Sequence, residues 1–410
     1  MNTELKNYLV VTAGYWAFTL TDGAIRMLVV LYFHLLGYSP FEVAMLFLFY
    51  EFFGIVTNLV GGWMAARIGL NITMHLGMAM QVFALMMLTV PDPWLSTVYV
   101  MTAQALSGIA KDLNKMSAKA SIKTLVSAEA ESTLFKWVAI LTGSKNTLKG
   151  VGFFLGAILL EVAGFRMALA ILAGCLFIVL ITTGLLLPKQ MGKAKTKPKF
   201  TQVFSNTPAI NLLSAARFFL FGSRDVWFVV ALPVFFYEVL EWDFMKIGAF
   251  MAFWVIAYGI VQASTPTLLK GHHPSGVTAL WLAIMLSTIP AAIAFVMSHT
   301  MQADGLNQAS NNETITWIIV VGLIVFGIVF AINSAVHSYL ILAYADNDKV
   351  SMNVGFYYMA NAGGRLAGTL LSGLMYQFYG LSACLWVSSA FVLTAAVLSL
   401  GLPKQSLSAQ

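Results

Sequence analysis

Apolar residues along this chain do not recur at the spacing of one helix face; they fill whole blocks, interrupted at charged residues and at proline or glycine. Those interruptions leave apolar runs near residues 8 to 35, 41 to 65, 72 to 90, 94 to 114, 136 to 160 and 166 to 187. A second set follows near 209 to 237, 244 to 268, 276 to 297, 315 to 343, 351 to 379 and 381 to 402. A run apolar on every side has no face for water, and about 20 such residues cross the hydrocarbon of a bilayer as a helix. Lipid offers the backbone no hydrogen bonds, so the peptide groups must satisfy one another within each segment. The pattern predicts an all-α integral membrane protein of 12 transmembrane helices in two pseudo-symmetric sets of six. The expected divisions are residues 1–187 as an N-terminal six-helix bundle, 188–208 as a basic linker and 209–410 as a C-terminal six-helix bundle.

Composition agrees with lipid as the main solvent: 59% of the 410 residues are hydrophobic and 10% are charged. Water-facing globular domains carry about 25% charged residues, which excludes an ordinary soluble enzyme. The formal charge of +6 is explained by topology rather than by nucleic acid. With both termini and the linker PKQMGKAKTKPKF in the cytoplasm, Lys6, Arg67, Lys115, Lys119, Lys123, Lys136, Lys189, Lys193, Lys195, Lys197, Lys199, Lys270, Lys349 and Lys404 fall inside, and Arg166 and Lys246 outside. That asymmetry follows the positive-inside rule. The N-terminus shows no small-residue cleavage site before the first run, so a retained first helix is expected. Cys175 and Cys384 both lie in apolar runs, which suggests neither a disulfide framework nor a metal site; no cofactor is expected.

The two sets also repeat one another. A shift of 216 positions places Lys149 on Arg365, Gly152 on Gly368, Gly156 on Ser372 and Gly164 on Gly380. Near the start of each set an acid, Asp22 or Asp225, precedes a pair of aromatic residues by ten positions. Many secondary transporters are built from such repeats, with the substrate near the midplane.

Charges inside the runs are the candidate chemistry, because an ionisable residue at the bilayer centre costs at least about 2.5 kcal/mol and is kept there by function. Asp22, Glu51, Lys149, Arg224, Asp225 and Arg365 lie near the middle of their runs, with Arg26, Lys145 and Arg217 within two turns. The cations outnumber the acids, so a shared cavity would be net positive and would favour an anionic ligand. Lys145 and Lys149 share a helix face, where like charges repel unless an anion bridges them. Asp22 and Arg26 share a face as well and read equally as an ion pair, while Arg224 and Asp225, as sequence neighbours, point in different directions. Arg365 suits an oxyanion through its planar fork, or pairs with Glu51 or an Asp. Lys111, Lys115, Lys119 and Lys123 form a basic stripe that leaves the fourth run for the cytoplasmic loop, and Lys111 is the member expected to reach the cavity. Asn146 and Asn361 lie beside the cations and could orient an oxyanion or bond across helices. Asp22, Glu51 and Asp225 are the candidates for proton coupling or ion pairing. His337, beside Ser334 and Ser338, reads as a hydrogen-bonded packing residue, with proton shuttling as the alternative.

The segment GGWMAARIGLN (Gly61 to Asn71) resembles the loop motif G-x-x-x-D-R-x-G of the major facilitator superfamily in Gly62, Arg67 and Gly69, with Ala66 at the acidic position. The fifth run, TGSKNTLKGVGFFLG, lacks the proline of drug antiporters. Over nearly its whole length the chain resembles the ArsJ family of organoarsenical efflux permeases within that superfamily, on YWAFTLTDGAIRML (Tyr15 to Leu28), GYSPFEVAMLFLFYEFFG (Gly37 to Gly54) and ALSGIAKDLNKMSAK (Ala105 to Lys119). The resemblance implies export of 1-arseno-3-phosphoglycerate across a bacterial inner membrane, in functional partnership with a glyceraldehyde-3-phosphate dehydrogenase that makes this ester from arsenate. A monomer in the bilayer, with no nucleic-acid partner, is the expected state. Two alternatives stay open: exchange of another organophosphate or oxyanion, and an integral-membrane enzyme or sensor, for which no catalytic motif is present.

Overall fold

The computed structural model describes residues 3–38, 46–125, 131–188, 199, 204, 207–242, 244–269, 274–302, 308–345 and 349–404. Most of the expected linker, the start of the second run, the side chain of Lys123, and Lys270 lie outside the described residues. Among the described residues every regular element is helical: α1 (Thr3–Leu35), α2 (Leu48–Ile68), α3 (Leu70–Met87), a short 3₁₀ turn (Asp92–Trp94), α4 (Thr97–Leu125), α5 (Glu131–Leu186), α6 (Pro208–Phe228), α7 (Ala231–Glu238), α8 (Phe244–Leu268), α9 (Gly276–Gln302), α10 (Gln308–Tyr344) and α11 (Val350–Ser399). Two of them are double-length. α5 breaks at Gly164 (φ 75°, ψ 168°) and α11 at Gly380 (φ 74°, ψ −175°). A Cβ at either glycine would meet nothing within 4 Å, so conformation and not space selects glycine there. Splitting both helices at these breaks, and joining α6 to α7 as one span of residues 208–238, gives twelve helices among the described residues, consistent with the twelve that the apolar pattern predicted. The register of 216 found in the sequence thus places two glycines of nearly equal backbone geometry on one another.

The chain divides into two compact units, Met1–Asn206 with Ala345–Met359, and Thr207–Tyr344 with Ala360–Gln410. One boundary falls in the linker. The exception is the start of α11, held in the first unit by glycine: a Cβ on Gly62 of α2 would stand 2.7 Å from the Ser351 carbonyl oxygen and 3.0 Å from the Gly355 Cα. Gly62 is one of the loop-motif glycines, and the contact explains why that position carries no side chain.

Close backbone approach also sets the interior of each unit. In the first, a Cβ on Gly152 would lie 2.6 Å from the Leu20 carbonyl oxygen and 3.0 Å from the Gly23 Cα, and one on Gly156 would lie 2.5 Å from the Ala24 oxygen. In the second, Gly364 abuts the Phe218 carbonyl and Gly368 the Gly222 carbonyl. Small residues that let helices touch along their backbones are the usual means of association in lipid, where apolar side chains gain little by leaving hydrocarbon for protein. The second unit adds an aromatic core in which Trp227 meets Trp254 and Phe326 edge to face at 5.9 and 5.2 Å. At one end of the first unit, the Tyr32 hydroxyl (2.6 Å) and Arg166 (2.9 Å) both donate to Asp92 Oδ1. The bonds from Tyr32 and Arg166 lower the Asp92 carboxyl below its ordinary 3.8. Large apolar side chains such as Val162 and Leu185, each 81% exposed, point outward and suit hydrocarbon.

Gly152→Ala is expected to destabilise the protein by about 1–3 kcal/mol through overpacking, whereas Gly174→Ala, whose Cβ has open space within 4 Å, should be neutral or gain up to about 1 kcal/mol of helix propensity. Thermal unfolding midpoints of the two variants in one detergent check the contrast.

Candidate functional site

In the first unit the predicted charges converge from four helices. Asp22 on α1 is 2% exposed and accepts a 2.5 Å hydrogen bond from the Tyr50 hydroxyl, with Lys149 Nζ 3.6 Å from its other oxygen. Arg26, one turn along α1, pairs with Glu51 at 2.8 Å and lies over the rings of Tyr50 and Phe47 at 4.3 and 5.3 Å. The alternative of an Asp22 to Arg26 pair within α1 therefore gives way to two pairs between helices. Lys111 on α4 stands 3.7 Å above the Tyr50 ring and 4.0 Å from Asp112. Tyr50 is the hub: its ring takes up two cation–π contacts while its hydroxyl reaches the acid. Sequence reasoning passed over it, although a tyrosine directly before a midspan glutamate was a usable signal.

The basic stripe departs most from expectation. α4 continues to Leu125, so Lys115 and Lys119 are not loop cations; they are 8% and 5% exposed. Lys115 pairs with Asp112, itself 2% exposed. Lys119 donates to the Thr142 hydroxyl at 2.8 Å, and both lysines lie over the ring of Tyr358, at 4.6 and 5.0 Å. The polar run KDLNKMSAK looked like a helix end because its mean hydropathy is low; burial of its amines against an acid, a hydroxyl and a ring keeps it helical. Lys145 and Asn146 are half-buried on α5, one turn before Lys149. Thr142, Lys145 and Lys149 share one face of that helix.

The second unit repeats the motif with arginine. Asp225 on α6 is fully buried and held from two sides: Arg224 Nε donates to Oδ1 at 2.7 Å, and Arg365 Nε on α11 donates to Oδ2 at 3.0 Å. Arg224 and Asp225 thus meet despite being neighbours, because the long arginine arm curls back onto the carboxylate. Arg365 takes the Asp alternative of its two expected partners. Two turns earlier on α6, Arg217 is 2% exposed and donates to Asn361 Oδ1 at 2.9 Å and to the carbonyl and hydroxyl of Ser334 at 3.2 Å, its guanidinium 3.8 Å from the Phe221 centroid. Gln262 donates to the same hydroxyl at 2.9 Å and to the Tyr258 hydroxyl at 3.2 Å. Gln262 and Tyr258 were not anticipated, and Ser334 was read as a neighbour of His337 rather than of Arg217, since uncharged polar residues in apolar runs give no distinct signal. His337 is buried, but neither ring nitrogen has a partner among the described residues, so the hydrogen-bonded packing role is not what the structure shows.

Each buried carboxylate therefore engages two donors: Tyr50 and Lys149 for Asp22, Lys111 and Lys115 for Asp112, Arg224 and Arg365 for Asp225. Cations remain in excess in both units. Arg26, Lys111, Lys115, Lys119, Lys145 and Lys149 stand against Asp22, Glu51 and Asp112; Arg217, Arg224 and Arg365 stand against Asp225. Among the described residues no group of acids, histidines and cysteines could hold a metal ion.

A sequence model of the Major Facilitator Superfamily matches residues 11–307. The chain belongs to this superfamily. It is a membrane transporter of the secondary kind. No curated protein sequence matches it. Solved structures of superfamily type share its fold. The human organic anion transporter MFSD10 (TETRAN) is 15% identical, with a TM-score of 0.75 over 97% of this chain and 100% of that one. A bacterial homologue of the iron transporter ferroportin in an outward-facing state is 14% identical, with 0.72 over 98% and 99%. The proton:xylose symporter XylE is 12% identical, with 0.71 over 96% and 94%. At these identities the likeness is one of fold. Within this superfamily transporter, the charges above are features of the chain's own sequence.

Removing an acid should harm this transporter more than removing one of its cations. Asp225→Asn leaves Arg224 and Arg365 facing each other and is expected to cost about 3–5 kcal/mol. Arg365→Ala leaves Asp225 neutralised by Arg224 and should cost markedly less. Folded yield and unfolding midpoint in detergent compare the two.

Proposed function

We propose that this transporter exports an anionic organoarsenical, 1-arseno-3-phosphoglycerate, and so confers arsenate resistance. The observation that carries the reading is the excess of cations over acids in the interior of each unit, where an anion is the ligand that relieves the repulsion. The identity of the anion rests on the resemblance of the Tyr15 to Leu28, Gly37 to Gly54 and Ala105 to Lys119 segments to ArsJ permeases. In this reading a glyceraldehyde-3-phosphate dehydrogenase makes the ester, and the protein, a monomer in a bacterial inner membrane with both termini in the cytoplasm, carries it out by alternating access. Arg26, Lys111, Lys145, Lys149 and Asn146 serve as ligands in the first unit, and Arg217, Arg224, Arg365 and Asn361 in the second. The arginine forks suit arsenate-like and phosphate oxygens, and the lysines act as point charges. Outward movement of an anion from a negative interior is downhill by about 2.3 kcal/mol per charge per 100 mV. Where protons are coupled, Asp22, Glu51 and Asp225 are the carriers, since protonating one would release the cations it now engages.

The test uses arsenate-sensitive cells that make the dehydrogenase, with and without this protein. Better survival in arsenate and lower cell-associated arsenic only when both are present is the expected result. Lys149→Ala and Arg365→Ala should abolish the effect at near-normal expression, since Asp22 keeps Tyr50 and Asp225 keeps Arg224. Equal arsenic content with and without well-expressed protein would reject the arsenical and turn attention to exchange of another phosphate ester.

A further inference from the structure

Arg217 touches one residue of a longer polar face. On α10, Asn333, His337, Ser334 and Ser338 fall in that angular order within an arc of about 140° at 3.6 residues per turn. Ser334 is inside the arc, and Arg217 is bonded to it. All four are at most 2% exposed. Among the described residues, both amide atoms of Asn333, both ring nitrogens of His337, the Ser338 hydroxyl and the Ser214 hydroxyl, one turn before Arg217 on α6, have no hydrogen-bond partner. Buried polar atoms are nearly always paired, so six on α6 and α10, on the helices that carry Arg217 and its partner Ser334, call for a partner that the described residues do not supply.

The chemistry of the set narrows what it takes. Arginine only donates; an asparagine amide, a neutral imidazole and a hydroxyl each donate and accept. A carboxylate, phosphate or arsenate oxygen accepts only, and would leave the Asn333 carbonyl and one imidazole nitrogen unmet. A hydroxyl accepts and also donates once, and so can give its proton to one of these acceptors beside the donor-only arginine. We infer that the second unit reads a hydroxyl adjacent to the anionic group, so that the ligand class is a hydroxylated organic acid or phosphate ester and not an oxyanion at large. This rests on the reading of Arg217 as an anion ligand and narrows it; the arsenical proposed above carries such a hydroxyl on its middle carbon.

The test is calorimetric binding of two stable probes to the purified full chain: 3-phosphoglycerate, and 3-phosphooxypropanoate, which keeps both acidic groups and lacks the hydroxyl. The wild type is expected to bind the hydroxylated probe at least about tenfold more tightly, because a site that hydrogen-bonds a substrate hydroxyl discriminates strongly against its absence. Asn333→Leu removes two unmet polar atoms and should fold at least as well as the parent, bind both probes and lose most of the preference. Equal affinities in the wild type, or an undiminished preference in Asn333→Leu, would overturn the inference while leaving anion binding intact. Failure of both probes to bind would overturn the anion reading, and this inference with it.

Discussion

Three carboxylates in the lipid-embedded interior, Asp22, Asp112 and Asp225, govern this structure. An isolated buried anion is too costly to keep charged, and one partner meets that cost only with good geometry and further hydrogen bonds. Here each acid draws on two donors. Asp22 ties α1 to Tyr50 on α2 and to Lys149 on α5; Asp225 ties α6 to Arg365 on α11. Asp112 makes its bonds within α4, to Lys111 and Lys115, and so keeps a lysine-rich stretch helical and inside the protein. Asp22 and Asp225 hold helices together, and the cations beyond those the acids require are the chemical resource of the transporter.

Salt bridge and glycine seam work as one device in both units. A short aspartate reaches a cation on another helix only if the two backbones nearly touch. Gly23, next to Asp22, meets Gly152, three residues after Lys149; in the second unit, the Cβ of Asp225 itself stands 3.0 Å from where a Cβ on Gly368 would be. The helix that carries the cation then ends at a glycine with φ near 75°, Gly164 or Gly380. The halves are related without being copies. Arg365 follows Lys149 by 216 positions, but Asp225 follows Asp22 by 203, so the acid and the cation have drifted separately while keeping their pairing. Arginine in place of lysine gives the second unit fixed, planar donors where the first has flexible ones.

Much of this was legible in the sequence. Whole-block hydrophobicity marked the helices because lipid removes the need for a polar face, and Gly164 and Gly380 marked breaks because few other residues adopt their backbone geometry. The midspan charges were also visible one by one. Their partners were not: Asp22 and Arg26 share a face and still pair elsewhere, and Arg224 and Asp225 pair although neighbours on a helix diverge. Pairing depends on which helices touch, which one sequence does not state. The stripe of Lys115 and Lys119 misled for a related reason, since a hydropathy average cannot tell a loop from a helix whose charges are internally satisfied. Tyr50, Tyr258 and Gln262 stayed hidden because uncharged polar residues are common in membrane helices.

The central claim is that the interior is positive beyond what its own acids neutralise, and that an anion completes it. The most direct measurement is the thermal unfolding midpoint of the purified protein, titrated at low ionic strength with glycerol, glycerol 3-phosphate and 3-phosphoglycerate. Since a ligand that binds only the folded state stabilises it by mass action, the midpoint should stay fixed with glycerol and rise progressively with the two anionic compounds, with the gain diminished by added salt. A rise as large with glycerol as with its phosphate, or no rise with either anion, would contradict the account.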